Sequence, residues 1–329
     1  MTLPRLSIGL PPGPNNIEVA RVAADLGCAR IWLYDSAALY EDIWIWLDRI
    51  ARETPIDVGT AVLVPNLRHV MTTASAIATI EHAHPGRLAC GFGTGATARW
   101  VLGKGALSWA TTRRYVETLR ALLDGEVVEI DGVQTRMNHW PGLAPDRPIR
   151  TPLLLSAFGA KGVAIADEIA DGIIDTLDRP RNLAWHVRMY NGTVVADGED
   201  PESDRVKEAC APWLVVAYHG AYTMNPDIVD NLPDGPAWRA AIEAARPDGQ
   251  RHLAAHEGHV THLTDRDRRF ALEGAWAMKG PGFTWIGDAG EIRARAEQSA
   301  GAGVTELLYT PAGPDVVGEV RRMAEALAG

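Results

Sequence analysis

Cysteine is scarce in this 329-residue sequence: Cys28, Cys90 and Cys210 stand far apart with no CxxC pair. An odd, scattered set encodes neither a disulfide framework nor a zinc knuckle, and the thiols are expected in the core. Long apolar runs are missing too, since no segment approaches the ~18 consecutive apolar residues that a membrane helix needs. The first ten residues carry no basic stretch followed by an apolar core and cleavage site, so a cytoplasmic protein is expected. Basic residues are in deficit, with 32 Lys+Arg against 42 Asp+Glu and a net charge of −10. Phosphate neutralisation needs clustered cations, whereas here they come singly or in pairs such as Arg113-Arg114, so nucleic acid and anionic membranes are not expected partners. No GxSxG elbow is present, which leaves acyl transfer without a signal.

What is present suits a large buried core: 47% of residues are hydrophobic and 22% charged, the usage of ordinary globular chains. At roughly 150 residues per domain the length suggests two domains, yet α/β barrels run past 250 residues as one. The pattern of elements chooses between these. An apolar run at 6–10, a Pro/Gly/Asn turn and a helical periodicity over 17–26 stopped at Gly27 read as strand, loop, helix. The same grammar returns with a strand at 29–34 and a helix through Trp44 to Leu47, then a strand at 56–63 and a helix at 67–83. It continues with a strand at 87–92, a helix at 108–123, a strand at 152–157, a helix at 159–170 and a strand at 172–176. A helix over 183–196, strands near 212–217 and 304–309 and a last helix at 316–328 complete it. About eight such units predict a (β/α)₈ TIM barrel, one domain over residues 1–329. Two stretches fall outside the repeat, 127–150, with an Asp131-Gly132 hairpin signal, and 218–285, rich in His, Asp and Arg. Both are expected as insertions beside the C-terminal face, where the active sites of this fold lie.

Function is therefore sought at strand ends. Gly91-Phe-Gly-Thr-Gly95 permits either close approach of a flat or phosphorylated ligand or a plain tight turn; Ala96 breaks the dinucleotide fingerprint. Ser156-Ala-Phe-Gly-Ala-Lys161 leads from strand to helix, as an anion site or an ordinary helix start. His252, His256, His259 and His262 follow spacings of 4, 3 and 3, but HEGH is not HExxH and Gly258 interrupts the helix. The expectation is a polar lid with one substrate-facing histidine and no metal. Asp35, followed by Ser36, is either a group for cofactor or proton relay or the cap of the next helix. Trp44 and Trp46 read as interface or core aromatics.

Gly59-Thr-Ala-Val-Leu-Val-Pro-Asn-Leu-Arg-His69 and Pro85-Gly-Arg-Leu-Ala-Cys-Gly-Phe-Gly-Thr-Gly95 resemble the bacterial luciferase-like monooxygenase superfamily, in particular its coenzyme F420 branch. Residues 156–176 and Ala302-Gly-Val-Thr-Glu-Leu307 agree, so the resemblance spans nearly the whole chain. It implies a flavin-like ring at the strand ends, buttressed by a non-prolyl cis peptide at Ala61-Val62 near Val64, with Gly93, Thr94 and Gly95 beside it. Phosphate contacts would come from Ser156, Ala157, Phe158, Gly159 and Ala160, with Thr176 near the ring's side chain and Arg99 or Lys161 as local cations. Asp35 with Ser36 matches the family's second-strand position and Tyr40 an aromatic beside the ring; Asp35, Tyr40, His256 and His259 are the candidate proton donors.

Departures narrow the chemistry. Ser36 stands where the branch's sugar-phosphate dehydrogenase has a catalytic histidine, Ala96 replaces its glutamate, and Pro11 replaces the glutamate of its methylenetetrahydromethanopterin reductase. The expectation is hydride transfer between F420 and a small organic substrate, in a homodimer formed through the second and third helices. The alternatives are an FMN-dependent, oxygen-activating monooxygenase and a flavin-binding protein without turnover.

Overall fold

In the computed structural model, which describes residues 2–280 and 282–329, eight parallel strands close into a barrel. They are β1 (Arg5–Leu10), β2 (Arg30–Leu33), β3 (Asp57–Leu63), β4 (Leu88–Phe92), β7 (Leu153–Ser156), β8 (Gly172–Asp175), β9 (Trp185–Val194) and β11 (Glu306–Tyr309). The short antiparallel pair β5 (Val128–Ile130) and β6 (Val133–Thr135) lies apart, and β10 (Thr284–Gly287) extends the sheet from the far half of β9. Between strands come α1 (Asn16–Asp25), α2 (Ile43–Glu53), α3 (Val70–Ala83), α4 (Ala96–Trp100), α5 (Trp109–Asp124) and α6 (Ala160–Ile169). Further helices are α7 (Asp204–Leu214), α8 (Val216–Met224), α9 (Pro226–Val229), α10 (Gly235–Ala245), α11 (Arg251–Ala255) and α12 (Asp265–Phe270). After β10, α13 (Ala289–Gly301) and α14 (Val316–Ala328) complete the outer ring against α1. None of the described helices is long and apolar enough to cross a membrane.

Local chemistry accounts for the boundaries. Asp42 caps α2 by accepting from the Trp44 and Ile45 N–H groups, Ser108 caps α5, and Asp288 with Glu291 forms a capping box at α13. The β5–β6 hairpin turns through Asp131 and Gly132, both at positive φ as a type I′ turn requires. Because helices cover the barrel outside and side chains fill it inside, strands such as β7 are apolar on both faces.

Trp32, Ala89, Leu154, Ile174, Val187 and Leu308 pack the interior, and Gly59 makes room, since a Cβ there would lie 2.6 Å from the Trp32 ring. At the strand starts, fully buried Glu306 accepts from Ser7 Oγ (2.6 Å), Trp32 Nε1 (2.8 Å) and Trp185 Nε1 (3.0 Å), which closes that end with a polar knot. The three cysteines are buried and free, and burial pushes their thiols up, Cys28 to about 12.

Two sequence expectations fail here. Residues 185–194 form β9 where a helix over 183–196 was expected: β8 passes into β9 through the loop 176–184 without a helix. That loop is held by Asp175, whose Oδ1 accepts from the N–H groups of Thr176 and Leu177 while Oδ2 pairs with Arg181. The buried polar residues of β9 mask its strand character; Arg188 pairs with Asp178 and Thr193 with Glu319, while the His186 ring and the Asn191 amide are buried without a side-chain partner. Conversely, 212–217 is helical, spanning the end of α7 and the start of α8; an apolar run of that length has no period to separate strand from buried helix. The second insertion accordingly starts after β9 and ends before β10, so Trp285 belongs to a strand. Its helices gather around Tyr218, Trp238, Phe270 and Trp276 as a second apolar cluster above the barrel.

Candidate active site

The C-terminal strand ends and the helical insertion enclose a cavity of about 390 Å³. Its floor is the end of β3, where the Ala61-Val62 peptide is cis, as the resemblance implies. Gly93, Thr94 and Gly95 form one side, and only glycine fits at positions 93 and 95. A Cβ on Gly93 would meet Val62 Cγ2 at 2.7 Å, and Gly95 has φ 78° with Val64 Cγ1 2.3 Å from its would-be Cβ. Ser156, Phe158 and Gly159 form the opposite side, leading into α6, whose start has no side-chain cap. The roof comes from the insertion as Trp213, Val216, His259 and Val260, with Trp109 and Met189 filling the ends.

Asp35 is 6% exposed and borders the cavity from the end of β2. It is not the cap of α2, a role held by Asp42; instead Arg68 Nη1 donates to Asp35 Oδ2 at 2.6 Å and Arg68 Nη2 to Asp42 at 3.2 Å. Burial raises the Asp35 carboxyl above its usual range, and the Arg68 guanidinium opposes that rise. Ser36 is buried beside it with an Oγ that has no hydrogen-bond partner in the protein. Tyr40 donates its hydroxyl to the carbonyl of His259 (3.1 Å), which ties β2's loop to the roof, and burial raises its phenol.

His259 presents Nε2 to Thr97 Oγ1 (3.0 Å) and Nδ1 to His219 Nδ1 (2.7 Å); burial lowers it to about 3, so the ring is neutral. His256 lies behind the wall, with Nε2 2.9 Å from Thr223 Oγ1 and its ring stacked on Trp100, and burial lowers it to about 4. The four histidines singled out by spacing share no helical face, because α11 ends at Ala255 and Gly258 turns the chain at φ 70°. His252 lies against Gly103, and His262 pairs with Thr261.

Asp35, Ser36, Tyr40, Ala61, Val62, Val64, Gly93, Thr94, Gly95, Ser156, Phe158, Gly159 and His259 thus meet at one cavity. His256, Arg99, Ala157, Ala160 and Thr176 do not line it. Arg99 Nε turns to the Gly105 carbonyl, Ala157 is buried with its N–H on Ile174, and Thr176 is engaged in the Asp175 turn. Sequence reasoning overlooked Arg68, Thr97 and His219. Arg68 stood inside the third-strand motif, a lone cation after an apolar run, and that was a usable signal; His219 fell in the His-rich insertion but outside the spaced set 252–262, so no spacing tied it to His256 and His259.

A family model described as luciferase-like monooxygenase matches residues 4–306. The chain belongs to the luciferase-like monooxygenase family. Among its relatives, an F420-dependent glucose-6-phosphate dehydrogenase from Beutenbergia cavernae is 34% identical over 260 residues, 68% of this chain and 76% of that protein. A 5,10-methylenetetrahydromethanopterin reductase from Methanolobus tindarius is 24% identical over 331 residues, 94% of each chain. Two solved structures share the fold over 99% of both chains: a coenzyme F420 dependent tetrahydromethanopterin reductase from Methanopyrus kandleri (TM-score 0.66, 20% identity) and an F420-dependent secondary alcohol dehydrogenase with an F420-acetone adduct (TM-score 0.67, 17% identity). In this luciferase-like member, Ser36 and Ala96 both face the cavity, so a hydroxyl and a methyl occupy the positions where the resemblance expected acid/base groups. Pro11 sits in a separate cleft with Asn16 and Val316.

Proposed function

We propose that this chain is an F420-dependent oxidoreductase that transfers a hydride between the deazaflavin and a small organic substrate. The observation that carries the reading is the cavity's construction: an apolar floor of Ala61, Val62 and Val64 flanked by a glycine edge and an uncapped helix start. Such a floor suits a flat ring, and unpaired N–H groups at a helix start suit a phosphate in a chain of net charge −10. Ser36 Oγ, buried and without a protein partner, supplies a hydrogen bond to a polar ring edge. The names of the relatives point the same way.

When bound, reduced F420 supplies the two electrons as a hydride. The residues of this chain bind, orient and exclude water. Val62 and Val64 would back the ring, and Trp213, Val216 and Met189, which also line the cavity, would enclose an apolar substrate. Asp35 and Tyr40 are the groups placed to handle a proton there, Asp35 oriented by Arg68. His259 acts through position, holding Thr97 and the Tyr40 hydroxyl.

Titrating the purified protein with F420 and separately with FMN tests the cofactor. Saturable F420 binding with little FMN binding is expected; FMN bound in preference, with oxygen consumed when a flavin reductase is added, would replace this reading by a monooxygenase. Binding without turnover over a broad acceptor panel would replace it by a flavin-binding protein. The resemblance also carries a homodimer through α2 and α3, consistent with Ile45 standing 63% exposed on α2. Light scattering at micromolar concentration should give twice the chain mass, and Ile45→Glu should halve it; a monomeric parent protein removes the dimer.

A further inference from the structure

Above the cavity roof, three imidazoles from separate stretches converge: His219 on α8, His256 just past α11 and His259 in the turn that follows. They are 1%, 2% and 1% exposed, and one ring nitrogen from each lies within 4.8 Å of the others. Hydrogen bonds decide which nitrogen each ring turns to its neighbours. Thr223 Oγ1 gives its hydrogen to the His219 carbonyl (2.9 Å), so toward His256 it can only accept, from Nε2–H at 2.9 Å. His256 Nδ1 therefore carries a bare lone pair, buried and unpartnered. His259 engages Thr97 through Nε2 (3.0 Å), which leaves Nδ1 facing His219 Nδ1 at 2.7 Å. The far nitrogen of His219, Nε2, has no hydrogen bond and lies 3.9 Å from Asp267 Oδ2.

We propose that His219, His256 and His259 form a binding site for a divalent transition metal, Zn²⁺ by its donor set, with the three Nδ1 atoms as ligands and a fourth position for water. Three imidazoles without a thiolate favour a borderline ion such as Zn²⁺ or Co²⁺ over Mg²⁺ or Ca²⁺. Two outer-shell contacts are in place, the Nε2 of His259 on Thr97 and that of His256 on Thr223, and Asp267 Oδ2 stands 3.9 Å from the Nε2 of His219; such contacts orient metal-bound histidines. Asp267 is itself anchored by Trp238 Nε1 (2.8 Å) and Thr264 Oγ1 (2.7 Å). Burial keeps all three rings neutral at pH 7, the form a metal requires. The proton now shared between the two Nδ1 atoms would pass to an Nε2, so binding neutral rings releases no net proton. The ion would pin α8 to the turn that carries Val260, a β-branched residue at φ 53°, and His259, whose carbonyl holds Tyr40, and so fix the roof of the cavity.

The test needs neither F420 nor turnover, so it stands apart from the functional reading. Full-length protein produced with zinc in the medium and dialysed should retain about one zinc per chain by elemental analysis, the stoichiometry of a single site. After chelation, one equivalent of Co²⁺ should restore the visible absorption bands of a four-coordinate imidazole site, and added Zn²⁺ should raise the thermal midpoint. His256→Ala and His219→Gln should lose the bands, while His262→Ala, outside the cluster, keeps them. Wild-type protein with no zinc and no Co²⁺ bands at stoichiometric loading would overturn the proposal, independently of whether any variant folds. Bands that survive in both folded cluster variants would overturn it equally.

Discussion

Single residues at the cavity are those that have left water without gaining a full set of partners. Ser36 is the clearest case: its orphaned Oγ costs the apo protein and is released from that cost only by a ligand. Ser36→Ala is expected to weaken F420 binding by about 1 kcal/mol, roughly fivefold in Kd, with no loss of folding stability. Fluorescence titration beside urea denaturation measures both; an unchanged Kd would take Ser36 off the cofactor's contacts. Arg68 is the opposite case, because removing it strands the Asp35 carboxylate, whose side chain is 2% exposed. Arg68→Ala should cost about 3 kcal/mol in urea denaturation, as for other broken buried pairs, and Asp35→Asn should recover part of it in the double variant. Asp35 and the glycines were legible because residue type and strand-end position coincide. Ser36 Oγ, Arg68 and His219 matter through what surrounds them, which no spacing records.

Elements respond to two constraints, local capping and what covers them. Loop 93–95 is set by φ and by close approach to β3, so Gly95→Ala should disrupt the glycine edge and abolish F420 binding while circular dichroism stays native. Retained affinity would show that the loop tolerates a side chain and that its glycine serves only the turn. The junction of β9 with α7 rests on Glu199, which accepts from Arg205 and lies well below the ordinary carboxyl value, at about 2 against 4.5. A depressed folded pKa adds stability above the unfolded value and loses it as pH falls. Glu199→Gln should therefore be less stable than the parent protein at neutral pH, and the difference should shrink as pH falls from about 4.5 through about 2; a gap at pH 2 as large as at neutral pH would exclude this ion pair as its source. The same junction shows where pattern reading breaks down. β9 looked helical because it carries buried polar residues at positions where a covered strand is usually apolar, and 212–217 looked like a strand because a short apolar run carries no period of its own.

For the whole molecule, the barrel is closed chemically at both ends. At the strand starts Glu306 gathers Ser7, Trp32 and Trp185, and Glu306→Ala would leave one hydroxyl and two indole N–H groups buried without an acceptor. A loss of at least about 3 kcal/mol is expected, from roughly 1–3 kcal/mol per stranded group, read by denaturant melts; a loss below 1 kcal/mol would mean that water enters to replace it. At the strand ends the insertion closes the cavity through the Tyr40–His259 contact and the histidine cluster. Repeating strand and helix periods, turn glycines and capping residues are local properties, so the sequence by itself determined the barrel class, most element positions, the hairpin and the strand-end loops that line the cavity. Which helices of the insertion pack over it, that β8 joins β9 without a helix, that Arg68 reaches Asp35, and that His219 meets His256 and His259 were decided only in three dimensions. Those contacts join residues up to 219 positions apart in the chain, and burial, not sequence spacing, selects among them.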